Sequence, residues 1–179
     1  MKKLLIASIL CLAMAAPAAF GRALITKGSN ELALGGMIDP STALGTSVDL
    51  SISYGYFFWD YISLGPMASF SDNDAGTFAS FGLSSDLNFP ISDDYQPLIG
   101  TDFVPYIGLG LGYQYCDVPR KDASAAVLSL EGGVKFFLSD TAAVTAAVVG
   151  SFATDEVFPD DDNAHAADVN VRLGMRFYF

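Results

Sequence analysis

Eight stretches of this chain, separated by turn-forming residues, alternate apolar and polar side chains with period two. They run over residues 31–38, 47–58, 61–71, 77–89, 103–116, 124–138, 141–153 and 166–179. That period places successive side chains on opposite faces of an extended strand, so each stretch reads as a strand with one apolar face. In the last, Val169, Val171, Leu173, Met175, Phe177 and Phe179 oppose Asn170, Arg172, Gly174, Arg176 and Tyr178. In the second, Val48, Leu50, Ile52, Tyr54, Tyr56 and Phe58 oppose Asp49, Ser51, Ser53 and Gly55. The fifth sets Ile107, Leu109, Leu111, Tyr113 and Tyr115 against Tyr106, Gly108, Gly110, Gly112 and Gln114. The sixth sets Leu128, Leu130, Val134, Phe136 and Leu138 against Ser129, Glu131, Gly133 and Lys135. The seventh is the weakest, because Ala142, Val144, Ala146 and Val148 face Ala143, Thr145, Ala147 and Val149.

Such alternation fits two architectures. A soluble sandwich buries the apolar face and wets the polar one. A membrane barrel turns the apolar face to lipid and lines its interior with the polar one. Three observations favour the barrel. Connectors at 58–61 and 138–141 are tight, whereas those near 39–46, 72–76, 117–123 and 154–165 are longer and polar, as short periplasmic turns and long extracellular loops require. The 90–102 connector, with Pro90, Asp93, Asp94, Pro97 and Gly100, breaks that rule. Aromatics collect at strand ends. Phe57, Phe58, Trp59, Tyr61, Phe89, Phe103, Phe136, Phe137, Phe177, Tyr178 and Phe179 fall at one end; Phe70, Phe78, Tyr113, Tyr115 and Phe152 fall at the other. Two interfacial girdles are expected of them. Finally, the polar faces carry charges in mid-strand: Asp49, Asp86, Glu131, Lys135, Arg172 and Arg176. Buried charges persist when paired, so these six are expected to form an interior ion-pair network.

Composition agrees. Charged residues make up 16% of the chain, against about 25% in soluble domains. The formal net charge of -11 argues against nucleic acid, whose phosphates need a basic footprint. Lys2 and Lys3, the apolar run Leu4 to Met14, and small residues from Ala15 to Gly21 read as a signal peptide over 1–21, cut between 18 and 22. The barrel is then expected over 22–179. Losing Lys2 and Lys3 takes the net charge from -11 to -13. Cys11 follows a poor lipobox, Ser8-Ile9-Leu10, so no lipid anchor is expected. Cys116 is then left without a disulfide partner and reads as a small residue near a strand end. No later run offers ~20 uninterrupted apolar residues for a spanning helix.

At these residues a family comes into view. Phe103-Val-Pro-Tyr-Ile-Gly-Leu-Gly-Leu-Gly-Tyr113 resembles the PYxGxGxGY strand of the outer-membrane β-barrel domain family, the group of small barrels around the OmpA transmembrane domain, OmpX and OmpW. Gly132-Gly-Val-Lys-Phe-Phe-Leu-Ser-Asp140 resembles its GGxxYFLTDN strand and turn, and Tyr54-Gly-Tyr-Phe-Phe-Trp-Asp60 an earlier counterpart. The closing VNVRLGMRFYF is similar to its C-terminal assembly signal, which would assign that role to Phe177 and Phe179. The resemblance implies an all-β fold, an eight-stranded antiparallel transmembrane barrel in the outer membrane of a Gram-negative bacterium. It implies insertion by the outer-membrane assembly machinery and contact with outer-membrane lipid and lipopolysaccharide. It does not imply one activity. No peptidoglycan-binding domain is expected to follow, because the chain stops on the last strand, which is expected to close onto the first near Leu32 and Leu34.

No enzyme motif stands out, and neither enzymatic activity nor a cofactor is expected. Small lipid A deacylases resemble this architecture and use a histidine beside a serine, but His165 is flanked by Ala164, Ala166 and Ala167. A solvated loop residue is the preferred reading. The run Asp155-Glu-Val-Phe-Pro-Asp-Asp-Asp162 could gather oxygen ligands for Ca²⁺, yet it matches no EF-hand spacing and reads better as a solvated loop. Eight strands enclose an interior that side chains fill. A structural or surface-interaction role as a monomer with acidic loops is therefore expected ahead of the alternative, a narrow channel for small or hydrophobic solutes. The column Gly108, Gly110, Gly112 leaves room on one wall, or admits a bulky neighbour such as Tyr106 or Phe137.

Overall fold

The computed structural model describes residues 25–42, 45–73, 76–89, 103–118, 121–159 and 164–179. The expected signal segment 1–21 and the connector 90–102 lie outside these residues, as do Asp160, Asp161 and Asp162 of the acidic run. Eight long strands make a closed antiparallel barrel: β1 (Asn30–Thr42), β2 (Gly45–Trp59), β3 (Ile62–Asn73), β4 (Gly76–Asn88), β5 (Phe103–Val118), β6 (Lys121–Ser139), β7 (Ala142–Ala153) and β10 (Ala167–Tyr178). Two short strands, β8 (Phe158–Pro159) and β9 (Ala164–His165), pair as a separate ribbon between β7 and β10.

Each strand neighbours the next in sequence, and β10 pairs back onto β1. The closing ladder sets Leu32 opposite Phe177 and Leu34 opposite Met175. Below it, Asn30 N donates to Phe179 O at 2.8 Å and Phe179 N to Asn30 O at 3.1 Å. Closure matters because a strand edge in lipid leaves its N–H and C=O groups without partners.

The apolar parities face outward. Leu50, Ile52, Leu83, Ile107, Leu109, Leu111, Val171 and Leu173 are all between 46% and 60% exposed, the reverse of a water-soluble core. Most interior positions in mid-barrel are small or polar. The tight turns fall at Asp60–Tyr61 and Asp140–Thr141, one residue later than the spacing suggests. Register shifts between Phe57 and Trp59 and between Phe137 and Ser139 account for this. A bulge adds one residue to a strand and breaks its alternation, and Phe58 and Trp59 are accordingly both exposed.

The aromatics divide by parity rather than by end alone. At the turn end Phe58, Trp59, Tyr61, Phe89 and Phe179 are exposed, but Phe57, Phe137 and Tyr178 point inward and are at most 2% exposed. With Ile25, Val104 and Ala143 they form an apolar floor across the barrel. The Phe137 and Tyr178 rings lie 5.0 Å apart. The segment before β1 holds Ile25 in place: Tyr61 N donates to Ile25 O (3.0 Å), Lys27 N to Asp60 Oδ1 (2.8 Å) and Gly28 N to Phe57 O (2.9 Å). Tyr61 does this from the left-handed region, φ 71°. At the loop end Phe78 also turns inward, and joins Cys116, Ala125 and Val157 in a second apolar cluster.

Truncating Phe57 to alanine should leave a cavity in the floor and lower stability by roughly 3–5 kcal/mol. A urea unfolding midpoint in lipid vesicles, compared with that of Phe58→Ala on the lipid face, measures the difference.

Candidate functional site

Above the apolar floor six charged side chains meet in the lumen. They come from four strands: Glu31 from β1, Asp86 from β4, Glu131 and Lys135 from β6, and Arg172 and Arg176 from β10. Lys135 is fully buried and its Nζ donates to Glu31 Oε2 at 2.9 Å and to Asp86 Oδ2 at 3.1 Å. Arg176 Nη1 bonds both Glu31 and Asp86, and its Nη2 lies 3.6 Å from Glu131 Oε1. Arg172 Nη1 donates to Glu131 Oε2 at 3.1 Å. In the strand order β4 and β10 stand on opposite sides of the barrel, so Arg176 and Asp86 bridge its full width.

Tyr106 completes the lattice. Its hydroxyl donates to Glu131. Lys135 Nζ lies 4.8 Å and the Arg176 guanidinium carbon 4.7 Å from the centre of its ring, within range of cation–π attraction. Gly133 makes room for it: a Cβ there would meet Ala147 Cβ at 2.6 Å and Tyr106 Cε1 at 2.9 Å. Three carboxylates (Glu31, Asp86, Glu131) thus balance three cations (Lys135, Arg172, Arg176). Balance matters because a buried charge without its partner is strongly destabilising.

Of the six residues singled out by sequence, five sit in this lattice. Asp49 lies half-buried on β2, across the ladder from Ser71, and stands outside the ion pairs given above. Glu31 was missed, although parity with outward Leu32 and Leu34 marks it as inward-facing. Lys135 answers Glu31 and Asp86 rather than Glu131, four residues away on its own strand. Partners across a lumen depend on the stagger of strands around the barrel, which one strand's pattern does not carry.

Between the lattice and the loop end lies a cavity of about 150 Å³. Ser51, Ser53, Ser84, Ser129 and Ser151 line it, with Arg172 at its base. The Ser69 and Ser80 hydroxyls are 2.6 Å apart on its wall. The glycine column does not admit Tyr106 or Phe137. Met67 from β3 lies across it, its Cε 3.1 Å from where a Cβ on Gly110 would stand and 3.3 Å from one on Gly112. Methionine, unbranched and flexible, suits such an irregular gap.

Other singled-out residues lie apart. Cys116 is a buried free thiol at the loop end, its Sγ 3.7 Å from Val157 O. His165 pairs through its backbone with Phe158. Asp155 and Glu156 are exposed at the start of the acidic loop.

The profile of the outer membrane protein beta-barrel domain family matches residues 4–177. The fold is similar to the N-terminal β-barrel domain of Pseudomonas aeruginosa OprF, at TM-score 0.63 and 16% identity, covering 86% of this chain and 98% of that one. It is also similar to Neisserial surface protein A, at TM-score 0.54 and 17% identity, covering 84% and 95%. A designed transmembrane β-barrel aligns at TM-score 0.52 and 11% identity, covering 86% and 98%. No curated protein matches the chain in sequence.

Replacing Lys135 with methionine leaves Glu31 and Asp86 sharing Arg176 alone, and should cost roughly 3–5 kcal/mol. Adding Asp86→Leu should recover part of that loss. Denaturation midpoints of the two single variants and the double variant test the coupling; strict additivity would contradict it.

Proposed function

The chain belongs to the outer membrane protein beta-barrel domain family and is a protein of the cell outer membrane, and from that premise we propose that it is a structural barrel presenting acidic loops at the surface, neither an open pore nor an enzyme. One observation carries this reading: the turn end is closed twice. The aromatic floor spans the barrel, and the balanced ion lattice spans it again immediately above. A solute passing through would have to part buried ion pairs and rings at most 2% exposed. The lumen then works as a blind cup whose closed end faces the periplasm.

The outward apolar faces are suited to lipid, including the acyl chains of lipopolysaccharide. The protein acts as a monomer, since its hydrogen-bonded sheet closes on itself. Phe177 and Phe179 serve the assembly machinery during insertion. Phe179 also ties the seam at Asn30, whose Nδ2 donates to Phe179 O at 3.2 Å.

The second reading, a narrow channel for small solutes, draws on the chamber of about 150 Å³ above the lattice. Its serine lining favours polar over hydrophobic solutes. Planar-bilayer recordings separate the two readings. The blind cup predicts no sustained conductance from the native protein, from Glu131→Lys or from Arg172→Glu. Steady native conductance that changes with either charge reversal would establish the channel instead.

Assembly is tested separately. Deleting Phe179 should lower the amount inserted in cells several-fold, while the purified truncated chain still folds into detergent. Normal insertion of the truncated chain would remove Phe179 from the signal.

A further inference from the structure

The connector that leaves β7 turns back into the barrel mouth. Val157 drops between the walls, where it is 4% exposed. It packs with Phe78, Cys116 and Ala125, and Ala153 and Phe158 lie partly buried against the same cluster. Phe78, Cys116 and Ala125 sit on the inward parity of β4, β5 and β6. β4 stands opposite β10 in the strand order. The strap formed by residues 154–158, which starts at β7 beside β10, therefore reaches across the mouth.

Its catch lies directly above the serine-lined chamber. Ser80, Gln114 and Val127 line that chamber. Each stands two positions nearer the turn end than a residue of the catch on its own strand: Ser80 below Phe78, Gln114 below Cys116 and Val127 below Ala125. Two positions are one step along the same face of a strand. Cys116 joins the two levels. Gln114 Nε2 donates to Cys116 Sγ at 3.6 Å, and the thiol donates to Val157 O at 3.7 Å.

Little holds the strap down. At its base Ala153 N donates to Ala166 O at 2.7 Å, Thr154 N to Ala126 O at 3.0 Å, and Ala126 N to Thr154 Oγ1 at 3.2 Å. Beyond that base, of residues 154–158 only Val157 is buried, and Thr154, Asp155 and Glu156 are exposed. The thiol bonds are weak, because sulfur is a poor donor and a poor acceptor. A segment with so few buried apolar contacts opens locally, without unfolding the barrel.

We propose that residues 154–158 form a hinged cover over the β4–β6 side of the chamber mouth, with Val157 as its catch. Seated, the cover screens Ser80, Gln114 and Val127 and buries the Cys116 thiol. Released, it bares that thiol and widens the way into the chamber from the loop side. The hinge is the pinched base at Ala153 and Ala166. The cover concerns the loop end alone, and stands whether or not solute can cross the floor.

The native thiol reports the released state. In vesicles with the loops outward, a small, membrane-impermeant thiol reagent should label Cys116 slowly. That rate should stay level as urea rises below the unfolding transition, as local opening requires. Val157→Thr keeps the shape of the catch but puts a hydroxyl in it, and Thr154→Val removes the acceptor for Ala126 N. Each should speed labelling at least tenfold while leaving the urea midpoint of the barrel in place. The chamber wall is probed in a Cys116→Ala background. Gln114→Cys, under the cover, should label several-fold faster once Val157→Thr is added. Ser51→Cys, which lines the chamber from β2 away from the catch, should keep its rate. A Cys116 that stays unreactive below the transition, or whose labelling climbs steeply with urea, would show a rim that opens only with the whole barrel and overturn the cover. Equal acceleration at Gln114→Cys and Ser51→Cys, or at neither, would overturn it as well.

Discussion

In hydrocarbon no water is present to satisfy a backbone N–H or C=O, and each one left alone is expensive. That constraint governs everything else in this molecule. It forces the strands to pair around a full circle, and it makes the short contact between β1 and β10 the joint on which the barrel depends. Period-two alternation then has one consistent solution. With lipid outside, the apolar parity faces outward, and whatever polar groups the sequence carries must find one another inside.

The interior meets that demand in layers. Apolar rings and Ile25 close the turn end, where inward-facing side chains meet across the barrel. Next come charges that only a complementary set could make tolerable, drawn from four strands and balanced three against three. Above them the side chains shrink to serine and glycine, and space remains. Such a lattice is weak evidence for stability, because desolvating six charges offsets much of their attraction. Its more certain contribution is registry. Arg176 reaches Asp86 across the barrel only if β4 and β10 hold their present stagger.

Much of this was legible in the chain. Lipid removes the ambiguity that tertiary packing brings to soluble proteins, so strand positions followed from alternation to within a few residues. Five lattice members announced themselves as charges in the middle of apolar strands. What stayed hidden depended on closure. Glu31 sits at the first residue of its stretch, where alternation has barely begun. Two bulges moved both tight turns by a residue and put Phe58 and Trp59 on one side. Tight packing of Met67 over Gly110 and Gly112 joins β3 to β5, which are not neighbours. Aromatic residues at one end looked like a single girdle, yet parity sends Phe57, Phe137 and Tyr178 inward to make the floor.

A blind cup, sealed below and hydrated above, is the central claim, and sidedness of water access tests it most directly. Single cysteines at Ser129 in the chamber and at Ala143, 0% exposed in the apolar floor, can be placed in a Cys116→Ala background. The barrel is then reconstituted in oriented vesicles. A small, membrane-impermeant thiol reagent should modify Ser129→Cys from the loop side only, and Ala143→Cys from neither side. Modification of either position from the turn side would mean that the floor is open, and the account would fail at its foundation.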